Sequence, residues 1–86
     1  MKVTFSERAL SEYFNWQSED KKTLKRINLL FRDIQRSPFE GLGKPEPLKN
    51  KDGKWSRRID ETNRIVYEQT DYGIEIYQCK GHYDDK

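Results

Sequence analysis

The stretch LKRINLLFRDIQRSP, running from Leu24 to Pro38, decides the fold. Its apolar residues Leu24, Ile27, Leu30, Phe31 and Ile34 recur at three- and four-residue spacing, which places them on one stripe of an α-helix. Lys25, Arg26 and Arg32 fall outside that stripe, as do Lys21 and Lys22 just before it. Ser37-Pro38 ends the helix, because a residue preceding proline is pushed out of the helical region. Ser18, Glu19 and Asp20 mark its start, so the helix covers roughly residues 19–36. Upstream, Ser6 is a good N-cap with Glu7 in the first turn, and Ala9, Leu10, Tyr13, Phe14 and Trp16 make a second stripe. That gives a helix over roughly 7–17, and with its neighbour an αα-hairpin. Before it, Lys2–Phe5 alternates as a short strand would.

Downstream of Pro38 the period changes. Gly41, Gly43, Pro45 and Pro47 preclude a helix and read as a loop with a short extended piece around Lys44–Lys49. Lys54–Asp60 alternates with Trp55 and Ile59 on one side, Arg64–Gln69 with Ile65 and Tyr67 together, and Ile74–Cys79 with Ile74 and Ile76 sharing a face. Asp52-Gly53 and Asp71-Tyr72-Gly73 are the turns between. Three short strands with tight turns form an antiparallel meander, and its apolar face needs a cover that only the helical hairpin can supply. The expected fold is α+β: a two-helix hairpin packed on one face of a small twisted antiparallel sheet. The other face stays open. If Ile65 and Tyr67 face the helices, Arg64 points to the open side.

Eighty-six residues make one domain, residues 1–86, with Asp84, Asp85 and Lys86 a loose tail. Hydrophobic residues are 33% of the chain and charged ones 37%, so the core is thin and leans on the 13% of aromatic residues. A domain this small is marginal alone, and a partner or a homodimer interface would help it. No apolar run approaches the ~20 residues of a membrane span. The chain carries no signal-peptide pattern, and the single cysteine, Cys79, fits a reducing cytoplasm. That points to cytoplasmic localisation and no membrane partner.

Residues 42–65 carry seven Lys/Arg against four Asp/Glu: Lys44, Lys49, Lys51, Lys54, Arg57, Arg58 and Arg64. The cluster reads either as a phosphate footprint or as the solvated face of a basic strand pair. Gly41-Leu42-Gly43-Lys44 is not a phosphate loop, since Pro38 occupies the first glycine position and Pro45 follows the lysine. One cysteine and one histidine cannot build a structural zinc site, and Cys79 reads as a small buried apolar residue. No metal or other cofactor is expected. Glu46 lies between Pro45 and Pro47, each of which locks its own φ. A stiffened carboxylate in a basic segment is either a general base or an exposed loop glutamate. His82, the only histidine, follows the last strand. RNA cleavage needs a base for the 2′-OH, an acid for the leaving 5′-oxygen and cations for the phosphorane-like transition state. Glu46 and His82 can fill the first two roles in either order. Arg64, Arg58 and Lys49 can fill the third. Tyr83, and Trp55 beside it as a second candidate, offers an aromatic face to an unstacked base.

Four separated blocks carry a more specific signal. Pro38-Phe39-Glu40-Gly41-Leu42-Gly43-Lys44-Pro45-Glu46-Pro47-Leu48-Lys49 resembles the signature of YoeB/Txe-type toxins of the RelE superfamily. So do Trp55-Ser56-Arg57-Arg58-Ile59, Asn63-Arg64-Ile65-Val66-Tyr67 and Cys79-Lys80-Gly81-His82-Tyr83. The resemblance runs from about residue 2 to residue 83. It implies a microbial-RNase-like fold and metal-independent cleavage of mRNA in the ribosomal A site, with Glu46, Arg64, His82 and Tyr83 catalytic and Lys49 and Arg58 as supporting cations. It also implies a YefM-like antitoxin as partner, with operator DNA bound only by the toxin–antitoxin complex. Lys44 and Lys54 join the RNA-facing charges on position alone.

The chain departs from that family in two places. Thr62-Asn63 stands where the family often has Glu-His, and three residues follow Tyr83, where family chains commonly end. An inhibitor acts either by blocking docking on the ribosome or by displacing the end that carries His82 and Tyr83, which lies beyond the last strand with Asp84, Asp85 and Lys86 after it. The competing class is a non-catalytic module that binds RNA or a partner through the same basic face. Against it stands the set Glu46, Arg64 and His82, since pure binding needs no carboxylate in the basic face.

Overall fold

The computed structural model describes residues 1–49 and 53–82. Lys51, Asp52, Tyr83 and the tail 84–86 lie outside the described residues. The chain runs β1 (Val3–Phe5), α1 (Glu7–Glu19), α2 (Lys21–Arg36), β2 (Glu46–Pro47), β3 (Lys54–Arg58), β4 (Arg64–Thr70) and β5 (Gly73–Gln78).

Each helix begins where a side chain can satisfy its free N–H groups. Ser6 Oγ accepts from the Ala9 N–H at 3.0 Å and starts α1. Asp20 stands alone between the helices in extended geometry, φ -157° and ψ 101°. Its N–H donates to the Trp16 carbonyl and closes α1, while its carboxylate accepts from the Lys22 and Thr23 N–H groups and opens α2. One residue thus makes the whole hairpin turn, and α1 runs three residues past Trp16, the last of its apolar stripe. Ser37, before Pro38, ends α2 as expected.

The sheet has the order β1-β5-β4-β3-β2. The expected meander β3-β4-β5 forms its centre, with Trp55 opposite Tyr67 and Arg57 opposite Ile65. Two short strands are added at the edges. β2 pairs antiparallel with β3, and β1 pairs parallel with β5, so the sheet is mixed rather than purely antiparallel. Three alternating residues at an N-terminus say nothing of partner or direction. Here Val3 and Phe5 stand beside Ile74 and Ile76, extending the apolar face that the hairpin covers.

The core lies between the two layers: Ala9 and Trp16 from α1, Ile27, Leu30 and Ile34 from α2, and Ile59, Ile65, Tyr67, Ile74, Ile76 and Cys79 from the sheet side. Phe5, Tyr13 and Phe31 close one end of it, with ring centroids 5.2 to 6.1 Å apart. A bulge shifts the β4–β5 register between Val66 and Tyr67: Tyr67 pairs with Ile76, but Val66 pairs with Gln78. Ile76 and Cys79, three apart, therefore both reach the core.

Arg57 is fully buried on the helix side, which corrects its place in the basic footprint. Its Nη1 donates to Asp33 Oδ2 and to the Leu42 carbonyl, its Nη2 to the Ser37 and Glu40 carbonyls, and its Nε to Tyr67 Oη at 3.2 Å. All five guanidinium hydrogens are thereby used. Tyr67 in turn donates to the Pro38 carbonyl at 2.6 Å. Burial would raise the pKa of Asp33, but donation from the Leu42 N–H, Arg57 and Arg36 outweighs it and holds the carboxyl at about 2. This network ties residues 37–42 to the sheet, and that loop leads directly into β2. Trp55 also points to the helix side, where its ring packs 4.7 Å from that of Phe39. It is not available on the open face for stacking on a base.

Candidate active site

The face of the sheet away from the helices is set by strand parity. With Trp55, Arg57, Ile65 and Tyr67 turned inward, Lys54, Ser56 and Arg58 of β3 and Arg64, Val66 and Glu68 of β4 point outward. Glu46 of β2 is the register partner of Ser56, so it shares that face.

Glu46 and Arg64 meet there. Arg64 Nη1 donates to Glu46 Oε1 at 3.3 Å. To do so Arg64 reaches from β4 across β3 to β2. Arg58 is the direct partner of Arg64 and adds a second positive charge at this end. The loop before β2 is docked on the same strand: the Arg58 N–H donates to the Gly43 carbonyl at 2.6 Å. Gly43 has φ +79°, and a Cβ there would stand 2.8 Å from the Arg58 carbonyl oxygen. Lys44 follows, exposed, with φ +52°. Lys49 is exposed just past β2, where the Leu48 N–H donates to the Lys54 carbonyl.

Lys54 has a different setting from the other cations. Its ammonium sits 4.3 Å over the Tyr77 ring, and Tyr77 Oη donates to Glu68 Oε1 at 2.7 Å. Burial, the bond to Glu68 and the charges of Glu68 and Glu75 push the Tyr77 phenol up to about 12. The open face is thus divided. Glu46, Arg58 and Arg64 occupy one region, and Lys54 belongs to a Glu68–Tyr77–Glu75 cluster at the other end of β3. The structure does not bring Lys54 to the Glu46–Arg64 pair.

His82 is exposed, four residues beyond β5. Its segment is held more firmly than the sequence led us to expect. The Arg64 N–H donates to the Gly81 carbonyl at 3.1 Å, and the Gly81 N–H donates to Asn63 Oδ1 at 2.7 Å. Gln78 Nε2 donates to the His82 carbonyl at 2.9 Å. His82 therefore sits at the same end of the sheet as Arg64. Tyr83 lies outside the described residues. Cys79 is buried, and burial together with the nearby Glu12 charge pushes its thiol up to about 12, so it is a core residue as its position implied.

Three residues of this region escaped the sequence reading. Asn63 has no role of its own in the sequence reading, although a side-chain amide beside a strand-initial arginine is a usable signal. Gln78 breaks the apolar alternation of β5, which pointed to a specific polar partner. Ser56 gives no sequence signal, yet its buried hydroxyl has no hydrogen-bond partner among the described residues and lies between Glu46 and Val66 in the ladder. Among the described residues no group of three or more His, Cys, Asp and Glu side chains is arranged to hold a metal ion. No described helix is long and apolar enough to cross a membrane.

A helical hairpin on one face of a small five-stranded mixed sheet is the fold of RelE-like toxins. Comparison with known proteins makes the class specific. Residues 5–83 match the family described as YoeB-like toxin of bacterial type II toxin-antitoxin system, and the chain belongs to that family. The toxin YoeB of Streptomyces coelicolor is 50% identical over 84 residues, covering 96% of this chain and 100% of that one. A solved YoeB/ParE toxin from Agrobacterium tumefaciens superposes with a TM-score of 0.91 at 43% identity, covering 96% of this chain and 100% of that one. The YoeB–YefM complex from Staphylococcus aureus gives 0.86 at 44% identity, over 96% and 98% of the two chains, and a YoeB dimer from the same organism gives 0.89 at 46%, over the same shares.

Proposed function

We propose that this chain is a ribosome-dependent mRNA endoribonuclease that cleaves in the A site and so inhibits translation. The observation that carries the reading is the Glu46–Arg64 pair on the open face, with the His82 segment docked on the Arg64 backbone. The reaction is balanced by these residues without a metal. A base removes the 2′-OH proton, the 2′-oxygen attacks phosphorus, and the P–O5′ bond breaks. An acid then protonates the leaving 5′-oxygen, and a 2′,3′-cyclic phosphate remains. Glu46 and His82 supply base and acid. Arg64 and Arg58 face the charge that builds on the phosphoryl oxygens, and Lys44 and Lys49 hold flanking phosphates. Tyr83 follows His82 directly and offers its ring to the substrate.

A YefM-like antitoxin is the proposed inhibitor, a homodimer the proposed free form, and the cytoplasm the site of action. Operator DNA is bound only by the toxin–antitoxin complex. The YefM complex and the dimer of the Staphylococcus aureus relative support the first two proposals. The purified chain added to ribosomes programmed with a short mRNA tests the reading. Cleavage at the A-site codon, blocked by the co-expressed neighbouring protein, is the expected result. Ribosome binding without any cut would favour a non-catalytic module on the same face.

A further inference from the structure

His82 projects from a turn, outside any strand, and a proton-transfer group needs a fixed position. We propose that Asn63 and Gln78 are positioning residues, a two-sided clamp that sets His82 relative to Arg64. The inference rests on the cleavage reading above and deepens it.

The Gly81 peptide is gripped at both ends. Its N–H donates to Asn63 Oδ1 at 2.7 Å, and its carbonyl accepts from the Arg64 N–H at 3.1 Å. The residue that holds the turn is thus the direct neighbour of the residue that holds Glu46. Asn63 is itself immobilised from behind: its Nδ2 donates to both Asp60 carboxylate oxygens at 3.1 Å, and its own N–H donates to Asp60 Oδ1 at 2.7 Å. Gln78 closes the other side. It is buried, at 6% exposure, and its Nε2 lies 3.3, 3.4 and 2.9 Å from the carbonyls of Lys80, Gly81 and His82. Three successive carbonyls converging on one amide fix a tight turn. Gly81 adopts φ +86° there, with nothing within 4 Å of where a Cβ would stand, so backbone conformation and not space makes it glycine. Asp60, Asn63, Arg64, Gln78, Gly81 and the His82 carbonyl therefore form one hydrogen-bonded unit, which fixes the backbone from which the imidazole projects beside Arg64. A displacement of about 1 Å in such a group costs on the order of 10²-fold in rate.

Single-turnover cleavage of ribosome-bound mRNA by wild type, Asn63→Ala, Gln78→Leu, His82→Ala and the double variant Asn63→Ala/His82→Ala tests the clamp. We expect Asn63→Ala and Gln78→Leu each to slow cleavage roughly 10- to 100-fold with ribosome affinity unchanged. In the His82→Ala background, Asn63→Ala should add nothing, because its effect passes through His82. Wild-type rates in both single variants would overturn the proposal. So would an Asn63→Ala effect that persists in full without His82, or one confined to ribosome affinity. If Asn63→Ala does not fold, Gln78→Leu reads the other side of the clamp, with Gln78→Leu/His82→Ala as its double variant. A wild-type protein that cuts nothing would instead remove the cleavage reading itself.

Discussion

Arg64 Nη1 and Glu46 Oε1, eighteen residues apart in the chain, stand 3.3 Å apart on the open face of the sheet. The pair is partly exposed, with side-chain exposures of 25% for Arg64 and 53% for Glu46, and such pairs contribute at most about 1 kcal/mol to stability. In the proposed reaction its value is chemical. Glu46→Gln is expected to leave the unfolding midpoint nearly unchanged and to lower cleavage by about 10²–10⁴-fold. Paired denaturation and cleavage measurements on the one variant check both halves. A variant that loses stability and keeps its rate would make Glu46 a structural residue.

The Asp33–Arg57 pair has the opposite character. Both side chains are buried, and the guanidinium holds the loop that leads to β2. Removing Arg57 leaves the buried Asp33 carboxylate with only the exposed Arg36 and the Leu42 N–H, and takes the donors from the Ser37, Glu40 and Leu42 carbonyls; breaking a buried pair in this way costs about 3–5 kcal/mol. Arg57→Met should therefore lower the urea midpoint sharply, whereas Arg58→Met, on the open face, should not. Equal midpoints for the two variants would contradict the assignment of Arg57 to the core.

Acid should expose the same network. The carboxyl of Asp33 is held at about 2 in the fold against an ordinary 3.8. A depressed pKa contributes stability that is complete above the unfolded value and is lost as the pH falls through the folded one. Asp33 alone accounts for about 2 kcal/mol by this linkage. Stability should fall between about pH 4 and pH 2, and Asp33→Asn should flatten the profile in that window while lowering the plateau above it. Urea titrations at a series of pH values read both effects.

Cys79 should be inert in the native state. Its thiol is fully buried and raised to about 12. Its reaction with a thiol reagent at pH 8 should be at least about 10³-fold slower than in the urea-unfolded chain. A rapid native reaction would mean that the end of β5 opens readily.

The helical hairpin was legible because its stripes and its stops are local: the spacing of Leu24, Ile27, Leu30, Phe31 and Ile34, and proline at Pro38. The central meander was legible from alternation. What stayed hidden depends on contacts between distant residues. Nothing local sets the direction in which Val3–Phe5 pairs, and that direction makes the sheet mixed. The charge count placed Arg57 with the surface cations, because only the fold reveals that Asp33 and four carbonyl or hydroxyl acceptors await it. Trp55 was misplaced as a base-stacking surface for the same reason, since Phe39 covers it from a loop. Glu46, Arg64 and His82 are candidates from residue type and from resemblance, and the structure brings the first two together. The grip of Asn63 and Gln78 on the His82 turn was not readable, because it is made largely of backbone carbonyls.

If the open face carries out proton transfer on RNA, His82 is the residue whose removal isolates that step. Single-turnover cleavage of ribosome-bound mRNA at pH 7, compared between wild type and His82→Ala at saturating protein, tests it most directly. Proton transfer through His82 requires a rate lower by about 10²–10⁴-fold in the variant, with ribosome affinity retained. A His82→Ala protein that cuts at the wild-type rate would contradict it.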